Sequence, residues 1–284
     1  MARKKKVIAA PLETIWEVPD AVWDRLQPVL DEAYPKKPTG RSRIDFRKAL
    51  NGIIFRMRTG CQWNHLPKLF GDDSSVHRWF QRWVEDDILL HLWAILLAEC
   101  DELGGVDWQW QAVDGCLGKA RFGGKKTGRN PTDRGKSGTK KSLAVEAQGG
   151  PLGVTIAGAN IPDVQLLEET LDAIVVDRPP VTEETPQNLC LDKAYDQPLG
   201  HEVIEKTDYT PHIRPLRESA EDLPPKKHRH PARRWVVERT FAWLQKCRGI
   251  LIRYEKKAQN YLGLIQLACA LLWFRRLHRL TVLR

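Results

Sequence analysis

The 284-residue chain carries 45 Lys and Arg against 36 Asp and Glu, a net charge of +9, with 42% hydrophobic residues. That length and apolar content suit one large or two modest packed domains and exclude a disordered tail protein. The basic balance favours a polyanionic partner, although many basic proteins bind no nucleic acid.

Six of the eleven tryptophans (Trp16, Trp23, Trp63, Trp79, Trp83 and Trp93) fall in the first hundred residues, which predicts a compact helical region there. Asp20 is placed to cap a first helix with Val22, Leu26, Val29 and Leu30 on one face, ending before Pro35. Asp45 caps a second, whose Ala49, Leu50, Ile53, Ile54 and Met57 recur at helical spacing, with Gly60 as its stop. After a connection over 67–71, Ser74 or Ser75 starts a third helix that turns Val76, Trp79, Phe80 and Trp83 inward and Arg78, Gln81 and Arg82 outward. A fourth spans 88–100. A short helix, a turn and a helix offering Arg and Gln is compatible with a helix-turn-helix DNA reader. A plain helical bundle with solvated Arg and Gln fits the pattern slightly better.

From residue 111 onward the pattern changes to strands. Expected strands are 110–114, 141–146 and 153–157, the last two joined by a turn at Gly149, Gly150 and Pro151. Asp163 is expected to cap a helix containing Val164, Leu167 and Leu171. Residues 177–187 form an acidic, proline-bearing loop. A strand at 188–192, a helix at 199–205 and a strand at 210–214 come next, then a polar stretch and a long helix beginning near Ala232. Strands that pair in a hairpin and then alternate with helices predict a mixed sheet flanked by helices.

Charge is segregated along this half. Residues 115–141 hold nine cations (Lys119, Arg121, Lys125, Lys126, Arg129, Arg134, Lys136, Lys140, Lys141) against Asp133, whereas 161–188 hold seven acids against Arg178. Such blocks imply basic surfaces with a preferred partner. The six cysteines are isolated and carry no zinc-ligand spacing, so they are expected to be reduced, in a cytoplasmic protein. Residues 1–6 are basic, but the stretch after them is too short and polar for a signal peptide. The apolar run at 262–274 is too short for a bilayer and is expected to be a buried helix, with no membrane role.

Cleavage of a phosphodiester with two metal ions needs carboxylates on rigid elements, with the ions about 3.5–4 Å apart. Two aspartates are placed for this at strand ends. Asp114 closes the Ala112-Val113 run, and Asp192 closes Leu189-Cys190-Leu191. Either one alone reads as a turn cap, whereas two in the same context, the first leading into a basic glycine-rich stretch, favour a site. Asp107 and Asp196 are set aside as turn residues. A third carboxylate is expected from the late helix. There Glu238 shares a face with Arg234, with Trp235, Phe241 and Ala242 on the buried side. An exposed ion pair four residues apart is the ordinary explanation. Six basic residues from Lys226 to Arg239 around one acid instead suit a site holding metal and phosphate.

The chain resembles bacterial insertion-sequence transposases of the DDE superfamily, closest to the insertion-sequence-five family, over nearly its whole length. The N-terminal likeness rests on Gly40-Arg41-Ser42-Arg43, Asn51-Gly52-Ile53-Ile54 and Arg58-Thr59-Gly60-Cys61-Gln62-Trp63-Asn64-His65-Leu66-Pro67. The later likeness rests on Val113-Asp114-Gly115, on the run at 128–139, on Leu191-Asp192-Lys193-Ala194-Tyr195-Asp196 and on Arg234-Trp235-Val236-Val237-Glu238-Arg239-Thr240-Phe241.

The resemblance implies a helical, helix-turn-helix-like DNA-binding region over 1–105 and a ribonuclease-H-like mixed-sheet catalytic domain over 106–284. It implies Asp114, Asp192 and Glu238 as the metal triad, holding two Mg²⁺ ions or Mn²⁺ in their place, with Arg234 steadying phosphate. Relatives carry Tyr and Lys around that Arg and Glu, whereas this chain has Pro231 and Gln245 there, with Lys246 one residue further. Expected DNA contacts are Arg78, Gln81, Arg82, Lys119, Lys125, Lys126, Arg129, Arg134, Lys136, Lys140, Arg234 and Lys246. The expected partners are double-stranded DNA, as inverted-repeat ends and target, and further copies of the chain in a homodimer or higher oligomer at the nucleoid. Only 46 residues separate Asp192 from Glu238, so no large insertion lies between them. A nuclease of the same fold that cuts without joining, and a catalytically idle DNA-binding derivative, stand as alternatives.

Overall fold

The structure is a computed structural model that describes residues 13–36, 38–40, 42–213 and 235–282. Four helices come first: α1 (Asp20–Ala33), α2 (Phe46–Thr59), α3 (Asp73–Glu85) and α4 (Ile88–Glu102). α2 obeys its local signals. The Asp45 carboxylate accepts the Lys48 N–H at 3.1 Å, and Gly60 takes the left-handed conformation at φ 70° that ends the helix. Two caps differ from expectation. Pro19 occupies the N-cap of α1, so Asp20 is the first helical residue, where its charge favours the helix N-terminus and pairs with Arg47. In α3 the cap is Asp72, which accepts the Ser75 N–H at 3.0 Å, rather than either serine.

The second half is built on a mixed sheet of β1 (Trp110–Ala120), β2 (Gly128–Arg129), β3 (Ser137–Glu146), β4 (Pro151–Gly158), β5 (Asn188–Leu191), β6 (Thr210–Ile213) and β7 (Ile252–Arg253). β3 runs antiparallel to β1, and β4 antiparallel to β3. On the other side β5 and β6 run parallel to β1. The two partners on β1's far edge are separated: β5 pairs Trp110 to Ala112, and β7 pairs Lys119 and Ala120. β1 thus runs well past Asp114, which sits in mid-strand and not at its end as the sequence implied. Pairing with β3 as far as Lys119 holds the strand straight through that point.

Helices cover both faces. A short 3-10 turn (Asp163–Leu166), α5 (Leu167–Asp172) and α6 (Pro198–Glu205) lie on one face, where the Thr170 hydroxyl donates to Ser142 of β3 at 2.7 Å. Pro162, not Asp163, holds the N-cap position of that turn, and no side chain caps it. The opposite face carries α7 (Trp235–Gln245), the short α8 (Arg248–Leu251) and α9 (Ala258–Val282); there Gln245 meets Cys116 and Tyr261 meets Lys141. In α7 the buried stripe is Val236, Val237, Thr240, Phe241 and Leu244. Trp235 and Ala242, expected inside, are exposed, because this stripe already fills the sheet-facing side.

The helical region and the sheet share one hydrophobic core. α4 is apolar nearly all round and lies against α9, and Trp93 and Trp273 both donate their indole N–H to the Pro151 carbonyl, at 3.2 and 2.6 Å. Arg56 of α2 meets Glu255, just past β7, in a fully buried ion pair at 2.9 Å.

Candidate active site

The register of the sheet locates the two candidate aspartates. Ala112 on β1 stands opposite Cys190 on β5 in the last pair of that ladder, so Asp114 and Asp192 each lie two residues past it. Asp114 falls in the stretch of β1 between its β5 and β7 partners, and both aspartates are partly exposed. The Gly115 N–H donates to Asp114 Oδ1 at 2.7 Å, which fixes that side chain.

Glu238 comes from the helix above. Gln245 touches Cys116 at 3.0 Å, and Cys116 shares a face with Asp114. Glu238 lies seven residues before Gln245, two turns along the same stripe of α7, and it is exposed. The three candidate carboxylates thus belong to β1, to the residue just past β5 and to α7.

Two groups join the site that the sequence did not single out for it. Asp163 packs behind β1, on the side opposite Asp114: a side chain at Gly115 would collide with its Oδ1, which lies 3.0 Å from Lys140 Nζ. Tyr195 is fully buried in the turn after Asp192. Burial, then the negative charges of Asp163, Asp114 and Asp192, push its hydroxyl well above the usual tyrosine range. No local signal marks Asp163 for this place, which its packing against Gly115 and Lys140 sets.

The donor set fits a hard divalent cation, since Asp114, Asp192 and Glu238 all offer carboxylate oxygen from rigid elements. Among the described residues no three His, Cys, Asp or Glu side chains are already drawn tightly enough to enclose an ion.

The candidate DNA contacts divide. Lys125, Lys126, Arg129, Arg134 and Lys136 are exposed on the segment between β1 and β3. Lys119 is exposed and lies 3.5 Å from Asp133, while Lys126 pairs with Glu169 at 2.9 Å. Lys140 differs from the others, being 6% exposed and held by Asp163 and by the Ile161 carbonyl. Its ion pair takes it out of the basic surface. On α3, Arg78 and Arg82 are exposed, whereas Gln81 is half-buried and accepts from Lys257 at 2.9 Å. Lys246 is exposed at the end of α7, and Arg234 lies outside the described residues.

The comparisons show the family to which these candidate carboxylates point. The family model "Transposase DDE domain" matches residues 106–273. A second, "Putative transposase of IS4/5 family", matches residues 18–93. The chain belongs to the DDE transposases of insertion sequences. It is 34% identical over 166 residues to the "Putative transposase for insertion sequence element IS402" of Burkholderia cepacia, covering 56% of this chain and 74% of that protein. A further 16.2 kDa protein of the same element is 31% identical over 118 residues, 40% of this chain and 80% of that one. The Mos1 mariner paired-end complex with Mn aligns over 90% of this chain and 84% of its own at 12% identity and a TM-score of 0.26, too slight a likeness to carry an argument. Among the described residues no helix is long and apolar enough to cross a membrane.

Proposed function

We propose that this transposase binds the inverted-repeat ends of its own insertion sequence, hydrolyses DNA strands there and joins the freed 3′ ends to target DNA. The observation that supports the reading is that Asp114 and Asp192 each follow by two residues the pair that ends the β1–β5 ladder, before β7 joins β1, with Glu238 on the helix that meets Cys116 of β1. Hydrolysis and joining are both displacements at phosphorus, so one site serves both.

Asp114, Asp192 and Glu238 would hold the divalent ions, two Mg²⁺ or Mn²⁺ in their place. Such ions, when bound, supply an activated water and offset charge at phosphorus. The Gly115 N–H keeps Asp114 aimed at the site, and the exposed cations between β1 and β3 hold the DNA backbone beside it. Arg234, with its planar fork, would steady the phosphate.

The catalytic part, 106–284, is of the ribonuclease-H-like type, supported by the order β4-β3-β1-β5-β6, three antiparallel strands and then two parallel ones. Residues 1–105 form the helical region that reads end DNA, with Arg78 and Arg82 on the exposed face of α3 and Gln81 beside them. The enzyme acts on double-stranded DNA as a dimer or higher oligomer at the bacterial nucleoid.

The test is replacement of the triad. Asp114→Asn, Asp192→Asn and Glu238→Gln should each abolish nearly all cleavage and strand transfer, while gel-shift binding to end DNA stays close to wild type. Full cutting by any of the three would show that the carboxylate is wrongly assigned, and cutting without joined products would make the protein a nuclease.

A further inference from the structure

Beyond β1 the chain turns over 121–127 and lies against residues 253–256, which follow the pairing of β7. The Arg253 guanidinium builds this tip. It is 1% exposed and donates to the Lys125 and Lys126 carbonyls on one side, at 2.8 and 3.2 Å. On the other side it donates to the carbonyls of Glu255 and Lys256, at 2.9 and 3.2 Å. The Arg121 N–H donates in turn to the Arg253 carbonyl at 3.0 Å. Gly124, at φ 111°, lets the two backbones touch, since a β-carbon there would lie 2.3 Å from the Lys256 carbonyl oxygen. A buried charged donor shared among so many carbonyls holds this exposed loop rigid.

What the tip presents is aromatic. Phe122 is 61% exposed, the most exposed aromatic ring among the described residues, and the Tyr254 ring lies beside it with centroids 5.9 Å apart. Neither ring belongs to the shared hydrophobic core. Arg121, Lys125 and Lys256, their neighbours in the chain, are exposed, whereas Glu255, the acid of these two segments, is turned inward to Arg56. A rigid apolar point held in water marks a contact, and cations around it favour a polyanion. Duplex DNA joins the two properties, with phosphates outside and stacked bases within. A second copy of this chain would instead bring a net charge of +9 to a basic surface.

We propose that Phe122, backed by Tyr254, is a wedge that enters one base step of duplex DNA and unstacks it, while Arg121, Lys125 and Lys256 hold the flanking phosphates. Apolar side chains used in this way kink the duplex by about 20–90° at a cost of a few kcal/mol. Ala120 lies six residues beyond Asp114 on a strand that rises about 3.3 Å per residue. The tip therefore stands roughly 20 Å from that carboxylate, the length of about six base pairs, and the kink falls to one side of the bond being cut. This placement rests on the DNA-cutting reading above; the wedge itself does not.

A duplex whose stacking is already weakened provides the test, because a wedge finds part of its work done. Anisotropy of the full-length protein in EDTA would compare a matched duplex with the same duplex carrying one central T·T mismatch. The wild type should prefer the mismatched duplex on the order of tenfold, since the cost of unstacking is partly prepaid. Phe122→Ser combined with Tyr254→Ser, both at exposed positions, should bind the two duplexes alike with an unchanged salt slope. Phe122→Trp should keep the preference. Lys125→Ala should lower the salt slope by roughly one and keep the preference as well. On end DNA carrying 2-aminopurine at each position in turn, fluorescence should rise at a step about six base pairs from the cut and stay flat in the double variant. Equal binding of both duplexes by the wild type would overturn the wedge, as would a preference that survives in the double variant. Loss of the preference only together with dissociation of a dimer would make the patch a protein contact and overturn it too. Cleavage of end DNA in Mg²⁺, measured in parallel, keeps the two readings apart. A tip-dependent preference without any cutting would sink the catalytic reading alone, and cutting without the preference would sink the wedge alone.

Discussion

A β-carbon built on Gly115 would lie 1.8 Å from Asp163 Oδ1 and 3.4 Å from Lys140 Cδ. The carboxylate it would strike is not free to swing away, because it is held against Lys140, whose own side chain is 8% exposed. Gly115→Ala should therefore act on the site from behind. Either Asp163 is driven off its partner, leaving a buried cation, or β1 shifts and carries Asp114 out of register with Asp192. Overpacking of this kind costs about 1–3 kcal/mol. Gly118→Ala makes a useful control, since its β-carbon would press only on the end of the Lys141 side chain, at 3.2 Å, with the Leu251 and Thr139 carbonyls at ordinary contact, 3.7 and 3.8 Å. Urea unfolding should show Gly115→Ala destabilised in that range and Gly118→Ala less so, with end-DNA cleavage falling sharply in the first alone. Equal cleavage by the two would mean that Asp163 and Gly115 have no bearing on the triad.

At the scale of elements, α3 is tied to the rest of the molecule partly through His77, which stacks on Trp63 with ring centroids 4.4 Å apart. Burial lowers the pKa of this imidazole, and the nearby charges of Arg56 and Lys257 lower it further against the opposing pull of Glu255. The ring titrates near 6.5 when the chain is unfolded and lower when it is folded. Below that value the unfolded chain takes up the proton first, so the stabilisation present at neutral pH is lost as the pH falls through the folded value. The melting temperature of the wild type should drop between pH 7 and 5 more steeply than that of His77→Gln. Glu169, whose pKa is also depressed, acts only below about 4.5 and cannot account for a difference in that window. Parallel curves for the two proteins would remove His77 from the explanation.

The elements that could be read from the sequence are those whose instructions are local. Asp45 and Gly60 bracket α2 as expected because a cap and a left-handed glycine act within one turn. The extent of β1 was not readable. Residues 115–120 lack strand alternation and are straight only because β3 pairs with them. Asp114 and Asp192 were found as strand-end aspartates, yet the pairing that ends two residues before each of them joins strands more than seventy residues apart. Asp163 looked like a cap, and its place behind Gly115 is set by tertiary packing. The exposure of Trp235 was hidden for a similar reason: helical spacing gives two adjacent apolar stripes on α7, and only the sheet decides which is buried.

For the molecule as a whole, the question is whether the helical region can stand apart from the sheet. Leu92, Trp93, Leu96, Leu97 and Cys100 of α4 are all fully buried, in a core continuous with that of α9 and the sheet. Burial of a large apolar side chain contributes roughly 1.5–3 kcal/mol, so losing even part of that cover is comparable with the whole stability of a domain, about 5–15 kcal/mol. The buried Arg56–Glu255 pair adds a second dependence, because removing Glu255 leaves a buried guanidinium without its acid. A fragment ending at residue 105 should therefore bind a hydrophobic dye and melt without a cooperative transition. The full chain should unfold in one step, with circular dichroism and tryptophan fluorescence changing together. Joining residues 1–105 to α9 through a flexible linker should restore part of the cooperativity, since α9 supplies the missing apolar face. A fragment over 1–105 that melts as sharply as the full chain would show that the shared core is a contact between two independent folding units.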